Sequence, residues 1–202
     1  MREFENTQTT IDILRHGEPT GGIRFRGITD DPLSEVGWQQ MLECCDNRNW
    51  QAVISSPLQR CQAVALHLSA TRNIPLYVDA AWQEIDFGRW EGLTAEAIEH
   101  RYPKALEAYY RDFMNASPPE GETYKQFSTR VNIAWYQLTA AYFGQSVLLI
   151  THAGVIRALF SLLMGISPEN SFRIEVPHTS LTRFRCFGSP GKQTVLLDFH
   201  NR

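Results

Sequence analysis

Short apolar runs along the chain alternate with stretches in which apolar residues recur every three or four positions. The runs are typical of buried strands, and the recurring positions are typical of amphipathic helices. Strands are predicted at residues 9–14, 52–54, 76–78, 147–151, 172–176, 181–187 and 194–199. Helices are predicted at about 35–46, 57–68, 94–115, 123–144 and 153–164. The alternation predicts an α/β fold, a three-layer α/β/α sandwich with a mainly parallel central sheet and antiparallel C-terminal additions.

Residues that start or stop helices lie at the borders of these stretches. Ser34 is predicted as the N-cap of the first helix. Ser56 and Pro57 are predicted as the N-cap and the first residue of the second helix. Pro103 interrupts the third helical stretch. Thr123, followed three residues later by a glutamine, has the sequence pattern of a capping box.

Four polar clusters follow predicted strands at the points where those strands end. Because the carboxyl ends of parallel strands meet at one edge of a sheet, we expect the clusters to form a single site. They are Arg15 with His16 and Gly17, Ser55 and Ser56 with Arg60, Gln83 with Glu84, and Thr151 with His152.

The residue types in these clusters suit the chemistry of a phosphoryl group. Arg15 and Arg60 offer forked donors that match the oxygens of a phosphate dianion. A neutral imidazole, that of His16 or of His152, can attack phosphorus and carry the group as phosphohistidine. Glu84 in its acid form can protonate the departing alkoxide. This scheme requires neither a metal ion nor a cofactor.

Composition and charge narrow the class of protein. The 202 residues are 43% hydrophobic and 20% charged, with a formal net charge of −3. Those values suit a globular domain and argue against nucleic-acid or membrane-surface binding. The four cysteines show no C-x-x-C spacing, so no zinc or redox motif is visible. The polar N-terminus and the lack of a long apolar run predict a cytoplasmic protein.

The segments around the four clusters resemble the histidine phosphatase superfamily, in its phosphoglycerate-mutase-like branch. The matching segments are residues 14–18, 26–27, 31–37, 55–61, 84–92, 121–131 and 151–157. They occur in the order of the family and cover most of the chain. The resemblance implies one histidine phosphatase domain over residues 1–202, with a helical cap-like insertion at about 82–122.

The resemblance also implies a role for each residue of the site. His16 would be the phosphorylated nucleophile, and Glu84 would be the proton donor. The phosphate pocket would be lined by Arg15, Arg60 and His152, with Gly17 and Ala153 beside them. Many members carry an asparagine shortly after the R-H-G-E run as a further phosphate contact. This chain has none there, and Thr20 or a backbone N–H is expected to replace it.

The loop at residues 18–27 is similar to that of the α-ribazole-5′-phosphate phosphatases of cobalamin synthesis. That resemblance implies a small-molecule phosphomonoester, α-ribazole 5′-phosphate, as the substrate. Arg24 or Arg26 would reach its ribose hydroxyls. The candidates for stacking on its base are Trp82, Tyr109 and Phe113.

Other functions remain open at this stage. Within the family, the alternatives are a phosphoglycerate mutase and a sugar-phosphate phosphatase. A non-catalytic protein that binds a phosphorylated ligand is the alternative from a different class. The sequence does not specify an oligomeric state.

Overall fold

A six-stranded sheet organises the part of the chain that the structure describes. The computed structural model covers residues 7–189 and 191–202. The strands are β1 (Gln8–Arg15), β2 (Ala52–Ser55), β3 (Leu76–Val78), β4 (Ser146–Thr151), β5 (Leu181–Phe187) and β6 (Thr194–His200). Their order in the sheet is β3-β2-β4-β1-β5-β6. Strands β3, β2, β4 and β1 are parallel to one another. Strand β5 pairs antiparallel with β1, and β6 pairs antiparallel with β5 at the edge of the sheet. The predicted α/β fold is confirmed.

Seven helices connect or follow the strands within the described residues. They are α1 (Glu35–Cys45), α2 (Gln59–Arg72), α3 (Ala95–Arg101), α4 (Ala105–Arg111), α5 (Tyr124–Ala141), α6 (Ala153–Met164) and α7 (Pro168–Ser171). Helices α3 and α4 fall inside the segment predicted as a cap-like insertion. None of the helices in these ranges is long and apolar enough to cross a membrane.

The two faces of the sheet bury separate hydrophobic cores. Side chains alternate between faces along each strand, so Leu149 of β4 joins the core beneath α5 and α6. Its neighbours Leu148 and Ile150 join the core beneath α1 and α2. The central strands are therefore apolar on both sides, as expected for parallel strands covered by helices. This arrangement gives the three layers that the alternating pattern predicted.

Several predicted helix boundaries are confirmed. The side chain of Ser34 accepts a hydrogen bond from the backbone N–H of Gly37 and caps α1. Thr123 and Gln126 form both hydrogen bonds of a capping box at the start of α5. The chain breaks between α3 and α4 around Pro103, as the missing backbone donor of a proline requires.

Two predictions about secondary structure are wrong. Helix α2 starts at Gln59 with Leu58 as its N-cap, two residues later than predicted. The hydroxyl of Ser56 accepts a long hydrogen bond from the backbone N–H of Leu58, at 3.4 Å, and lies closer, at 2.8 Å, to Nε2 of His152. Residues 172–176 form turns and irregular backbone rather than a strand. Carbonyl oxygens of this segment accept hydrogen bonds from arginine side chains, which takes the place of pairing with a neighbouring strand.

The carboxyl ends of three strands meet at one edge of the sheet. Arg15, the last residue of β1, pairs in register with Thr151, the last residue of β4. Ser55, at the end of β2, pairs with Ile150 of β4. The residues that follow these strands therefore converge, as the sequence predicts.

Candidate active site

His16 lies directly after β1 with one ring nitrogen free for chemistry. Its side chain is buried, and its Nδ1 lies 2.7 Å from the carbonyl oxygen of Gly17. Because a carbonyl oxygen only accepts hydrogen bonds, Nδ1 carries the proton and Nε2 keeps its lone pair. Burial, together with the charges of Arg60 and Arg15, holds the pKa of His16 well below its usual range. The imidazole is therefore neutral and nucleophilic at neutral pH.

His152 approaches His16 from the end of β4. The two ring centroids are 5.2 Å apart. His152 is fully buried, and its Nε2 lies 2.8 Å from the hydroxyl oxygen of Ser56. Burial and the nearby Arg60 also hold the pKa of His152 well below its usual range. The Ser56 contact fixes the orientation of this ring, a role that the sequence did not reveal.

Arg15 and Arg60 bring two positive charges to the same place, Arg60 fully buried and Arg15 partly buried. The Arg15 guanidinium donates to the carbonyl oxygen of Val176 at 2.5 Å. That of Arg60 donates to the carbonyl oxygens of Gly27 and Thr29, at 2.7 Å each. These carbonyls orient the two groups without neutralising them, and neither arginine forms an ion pair with another described residue. The Nε atoms of both are buried without a hydrogen-bond partner.

Buried and unpaired guanidinium donors are costly unless a ligand satisfies them. Burial lowers the pKa of Arg15 to about 10, which leaves the group charged at neutral pH. The pair therefore forms a preoriented site for an anion, with His16 beside it.

Glu84 is held at the N-terminus of α6. Its Oε2 accepts a hydrogen bond from the backbone N–H of Gly154 at 2.9 Å, and its Oε1 accepts one from the backbone N–H of Ile85 at 3.1 Å. A Cβ atom on residue 154 would lie only 2.2 Å from Oε1. A glycine at this position lets the carboxylate reach the helix end. The negative charge of Glu84 also opposes the lowering of the Arg15 pKa, so the two groups interact electrostatically.

A network centred on Glu91 holds the loop that orients Arg60. The Glu91 carboxylate accepts hydrogen bonds from the backbone N–H groups of Gly27, Ile28 and Thr29 at 2.9–3.1 Å. It also accepts one from the hydroxyl of Thr29. The carbonyls of Gly27 and Thr29 in turn hold the Arg60 guanidinium. Sequence reasoning missed this role, although Glu91 lies within the family-like segment 84–92.

Gly17 and Ala153 follow the two histidines directly in the chain. A Cβ atom on residue 17 would lie 2.2 Å from the carbonyl oxygen of Gly37, so this glycine permits the close approach of α1. Ala153 begins α6 and lines the same pocket as Glu84.

Other predicted residues do not join this cluster. The side chain of Thr20 is exposed, and its backbone N–H donates to Pro32. Arg24 and Arg26 both pair with Asp31, at 3.4 and 2.7 Å. Trp82 is 1% exposed within the core, where no substrate can stack on its ring.

Glu84 also lines an aromatic pocket, whose lining includes neither Arg15 nor Arg60. This pocket encloses about 590 Å³ of empty volume, including its open mouth. Its aromatic lining includes Phe25, Phe87, Tyr109, Phe113, Tyr124 and Phe172. Tyr109 and Phe113 are thus in the pocket as predicted, whereas Trp82 is not. Arg157 contributes a positive charge to the lining.

These features define a class of site. A neutral imidazole with a free nitrogen, two unpaired guanidinium groups and a carboxylate can bind an anionic phosphoryl group and transfer it. Within the described residues, no group of three or more histidine, cysteine, aspartate or glutamate side chains is arranged to hold a metal ion.

The chain belongs to the histidine phosphatase superfamily (branch 1), whose family model matches residues 11–198. It is 26% identical over 169 residues to the adenosylcobalamin/alpha-ribazole phosphatase of Escherichia coli, covering 81% of this chain and 83% of that protein. It is 26% identical over 161 residues to phosphoserine phosphatase 1 of Hydrogenobacter thermophilus, covering 76% and 75%. The family supports a hydrolase of phosphoric monoesters.

Solved structures share the fold. A mycobacterial glucosyl-3-phosphoglycerate phosphatase superposes with a TM-score of 0.84 at 26% identity, covering 96% of this chain and 99% of that one. The alpha-ribazole phosphatase of Shigella flexneri superposes with a TM-score of 0.84 at 23% identity, covering 96% of each chain.

The chain spans about half the length of some curated relatives. A bifunctional protein of Mycobacterium tuberculosis is 30% identical over 182 residues, which cover 87% of this chain and 50% of that protein.

Proposed function

We propose that the protein is a metal-independent phosphomonoesterase that works through a phosphohistidine at His16. The observation that supports it most is that His16, with its Nε2 free, feels the charges of Arg60 and Arg15, whose Nε donors are buried without a hydrogen-bond partner. The proposal takes residues 1–202 as one catalytic domain, with the segment 82–122 covering the pocket.

The reaction proceeds in two displacements. Arg15 and Arg60 bind the phosphoryl oxygens, with His152 as a further contact, and Nε2 of His16 attacks phosphorus. As the bond from phosphorus to the ester oxygen breaks, Glu84 in its acid form gives its proton to the departing alkoxide. Water then attacks the phosphohistidine, and the Glu84 carboxylate takes one proton from that water. The products are an alcohol and inorganic phosphate, and the enzyme returns to its starting state.

The substrate we propose is α-ribazole 5′-phosphate. Its phosphate would occupy the arginine site, and its flat base would enter the aromatic pocket beside Glu84. Among the aromatic side chains of the lining, Tyr109 and Phe113 are the stacking partners that the sequence names, and stacking of this kind contributes about 1–3 kcal/mol per base. The alkyl phosphates of phosphoglycerate mutases and sugar-phosphate phosphatases lack a flat group to fill this pocket.

The mechanism is tested by trapping the intermediate. The protein is incubated briefly with a ³²P-labelled phosphomonoester and quenched, and the label on the protein is measured after acid and after base treatment. Phosphohistidine is labile in acid and stable in base. His16→Ala should carry no label and show no turnover, whereas His67→Ala, which removes an exposed histidine on α2, should behave as the wild type. Tight ligand binding without label or turnover would favour a non-catalytic binding protein.

The substrate and the metal requirement are tested by turnover. We expect α-ribazole 5′-phosphate to be hydrolysed at least about tenfold faster than 3-phosphoglycerate in kcat/KM, from stacking alone. Faster turnover of 3-phosphoglycerate would reject the proposed substrate but leave the phosphatase. Loss of activity with a chelator, restored by a divalent ion, would reject metal independence.

A further inference from the structure

His178 lies next to His16 because β5 pairs antiparallel with β1. Leu181 pairs in register with Leu14, so the residues just before β5 run beside the residues just after β1. The backbone N–H of Arg15 donates to the carbonyl of Ser180 at 3.0 Å, and that of Thr179 donates to the carbonyl of His16 at 3.3 Å. These bonds hold the backbone around residue 178 against the nucleophile.

The chain just before His178 is also held in place, and the backbone just after it is strained. The side chain of Arg15 donates to the carbonyl of Val176. Thr179 has a φ of +60°, a conformation that β-branched residues rarely adopt. Such strain persists where the surrounding contacts determine the conformation, often at functional sites. The position of His178 is therefore set by the fold.

The imidazole of His178 faces that of His16. The two ring centroids lie 5.6 Å apart, with the planes inclined at 42°. His152 approaches His16 at 5.2 Å, so His16 lies between two other imidazoles. Unlike His152, the half-buried His178 ring makes no hydrogen bond within the described residues. It keeps a donor and an acceptor available for a ligand.

The surrounding charges keep this ring neutral. Arg15 from the end of β1 and Arg26 from the loop before α1 act on it, and His16 is its imidazole neighbour. Burial, with the charges of the two arginines, lowers the pKa of His178 to about 4. At neutral pH the ring adds no charge to the site but retains one N–H donor.

We propose that the imidazole N–H of His178 donates a hydrogen bond to the phosphoryl group of the substrate as that group lies on His16. The inference rests on the proposed function and adds a substrate-binding residue to it. It also answers the question raised by the missing asparagine after the R-H-G-E run. Thr20 is exposed there and its backbone N–H is already bonded, whereas His178 has a free donor next to the nucleophile.

The kinetic test uses p-nitrophenyl phosphate as substrate and inorganic phosphate as a competitive inhibitor. For His178→Ala we expect the inhibition constant of phosphate to rise, and kcat/KM to fall, by about 10- to 100-fold, the loss expected for one hydrogen bond to a charged group. His178→Asn retains an N–H donor and should recover most of this loss. His67→Ala, on the surface of α2, is the matched control and should leave both constants unchanged.

A second measurement uses the wild-type protein alone. Bound phosphate places negative charge beside the ring and should raise the pKa of His178, as followed by NMR titration of its imidazole with and without phosphate. This readout decides the matter if His178→Ala fails to fold. An active wild type in which His178→Ala leaves phosphate inhibition unchanged, or in which phosphate leaves the imidazole titration unshifted, would overturn the inference. An inactive wild type without phosphohistidine would instead overturn the proposed function.

Discussion

Substituting Gly154 with alanine should separate activity from stability. The new Cβ would lie 2.2 Å from Oε1 of Glu84 and 3.3 Å from its Oε2. The first distance is shorter than any nonbonded contact, so one of the two groups must move. The Glu84 carboxylate is the end of a flexible side chain, whereas residue 154 is fixed in the first turn of α6. Gly154→Ala should therefore displace the proposed proton donor and leave the backbone in place.

The expected change in stability is small because two effects oppose each other. Alanine in place of glycine favours the helix by up to about 1 kcal/mol. Displacing the carboxylate from the N–H of residue 154 removes a hydrogen bond to a charged group, which contributes about 1.5–3 kcal/mol. Water can replace part of this bond at the pocket, so the free energy of unfolding should change by less than about 2 kcal/mol. Urea unfolding followed by circular dichroism measures it.

The expected change in activity is large and depends on the leaving group. General acid catalysis contributes about 10²- to 10⁴-fold. The kcat for a nucleoside 5′-phosphate, whose alkoxide needs a proton to depart, should fall by about 100-fold or more. The kcat for p-nitrophenyl phosphate should fall much less, because its phenolate departs without a proton. Both kcat values are measured as the rate at which the alcohol or phenol is released at saturating substrate.

A double-mutant cycle shows whether the effect passes through Glu84. Once Glu84→Gln has removed the acid, adding Gly154→Ala should cost little further activity on the nucleoside 5′-phosphate. Equal losses on both substrates in Gly154→Ala, or fully additive losses in the double variant, would refute the reasoning.

Three further changes test other parts of the structure. Glu91→Ala should lower the free energy of unfolding by about 2–4 kcal/mol, because it leaves backbone N–H donors without a partner. It should also weaken phosphate binding, as measured by calorimetry. The control Glu96→Ala, at an exposed position, should have neither effect. Asp12→Asn should lower the free energy of unfolding, measured in urea, by about 3 kcal/mol, because buried Asp12 pairs with Arg183 at 2.6 Å. It should leave kcat unchanged. The pKa of His152 is lowered in the folded state, so the unfolded chain takes up this proton first as the pH falls. As the pH falls from about 6.5 to 5, the free energy of unfolding of the wild type should therefore decrease more steeply than that of His152→Asn, by up to about 1.4 kcal/mol per pH unit. Urea unfolding at each pH measures both, and equal slopes of free energy against pH would contradict this prediction.

The sequence predicted most of the fold because the strand ends carry clear local signals. The continuous apolar run before His152 could only be a strand covered on both faces, and the structure places it at the centre of the sheet. The polar residues after each run then share an edge by topology alone. Arg15, His16, Arg60, Glu84 and His152 meet for this reason.

The remaining contacts depend on pairs of residues that local patterns do not connect. The neighbours of Ser56 predict a helix cap, and its hydroxyl does accept a long hydrogen bond from the backbone N–H of Leu58, but its shorter contact is with His152, which is distant in sequence. The sequence names Trp82 as a candidate for stacking on a substrate base, but the backbone turn at residues 80–82 places its ring in the core. In both cases the position of the side chain depends on residues that are distant in sequence, which local patterns do not identify.

The approach of His178 to His16 depends on strand pairing rather than on any motif. A strand prediction at 181–187 gives neither its direction nor its neighbour. The antiparallel register of Leu181 with Leu14 supplies both, and it brings residues far apart in sequence to the two sides of one pocket. A histidine there contributes a donor that the segment after His16 does not provide. The site thus combines residues fixed by parallel strand ends with one fixed by the antiparallel strand.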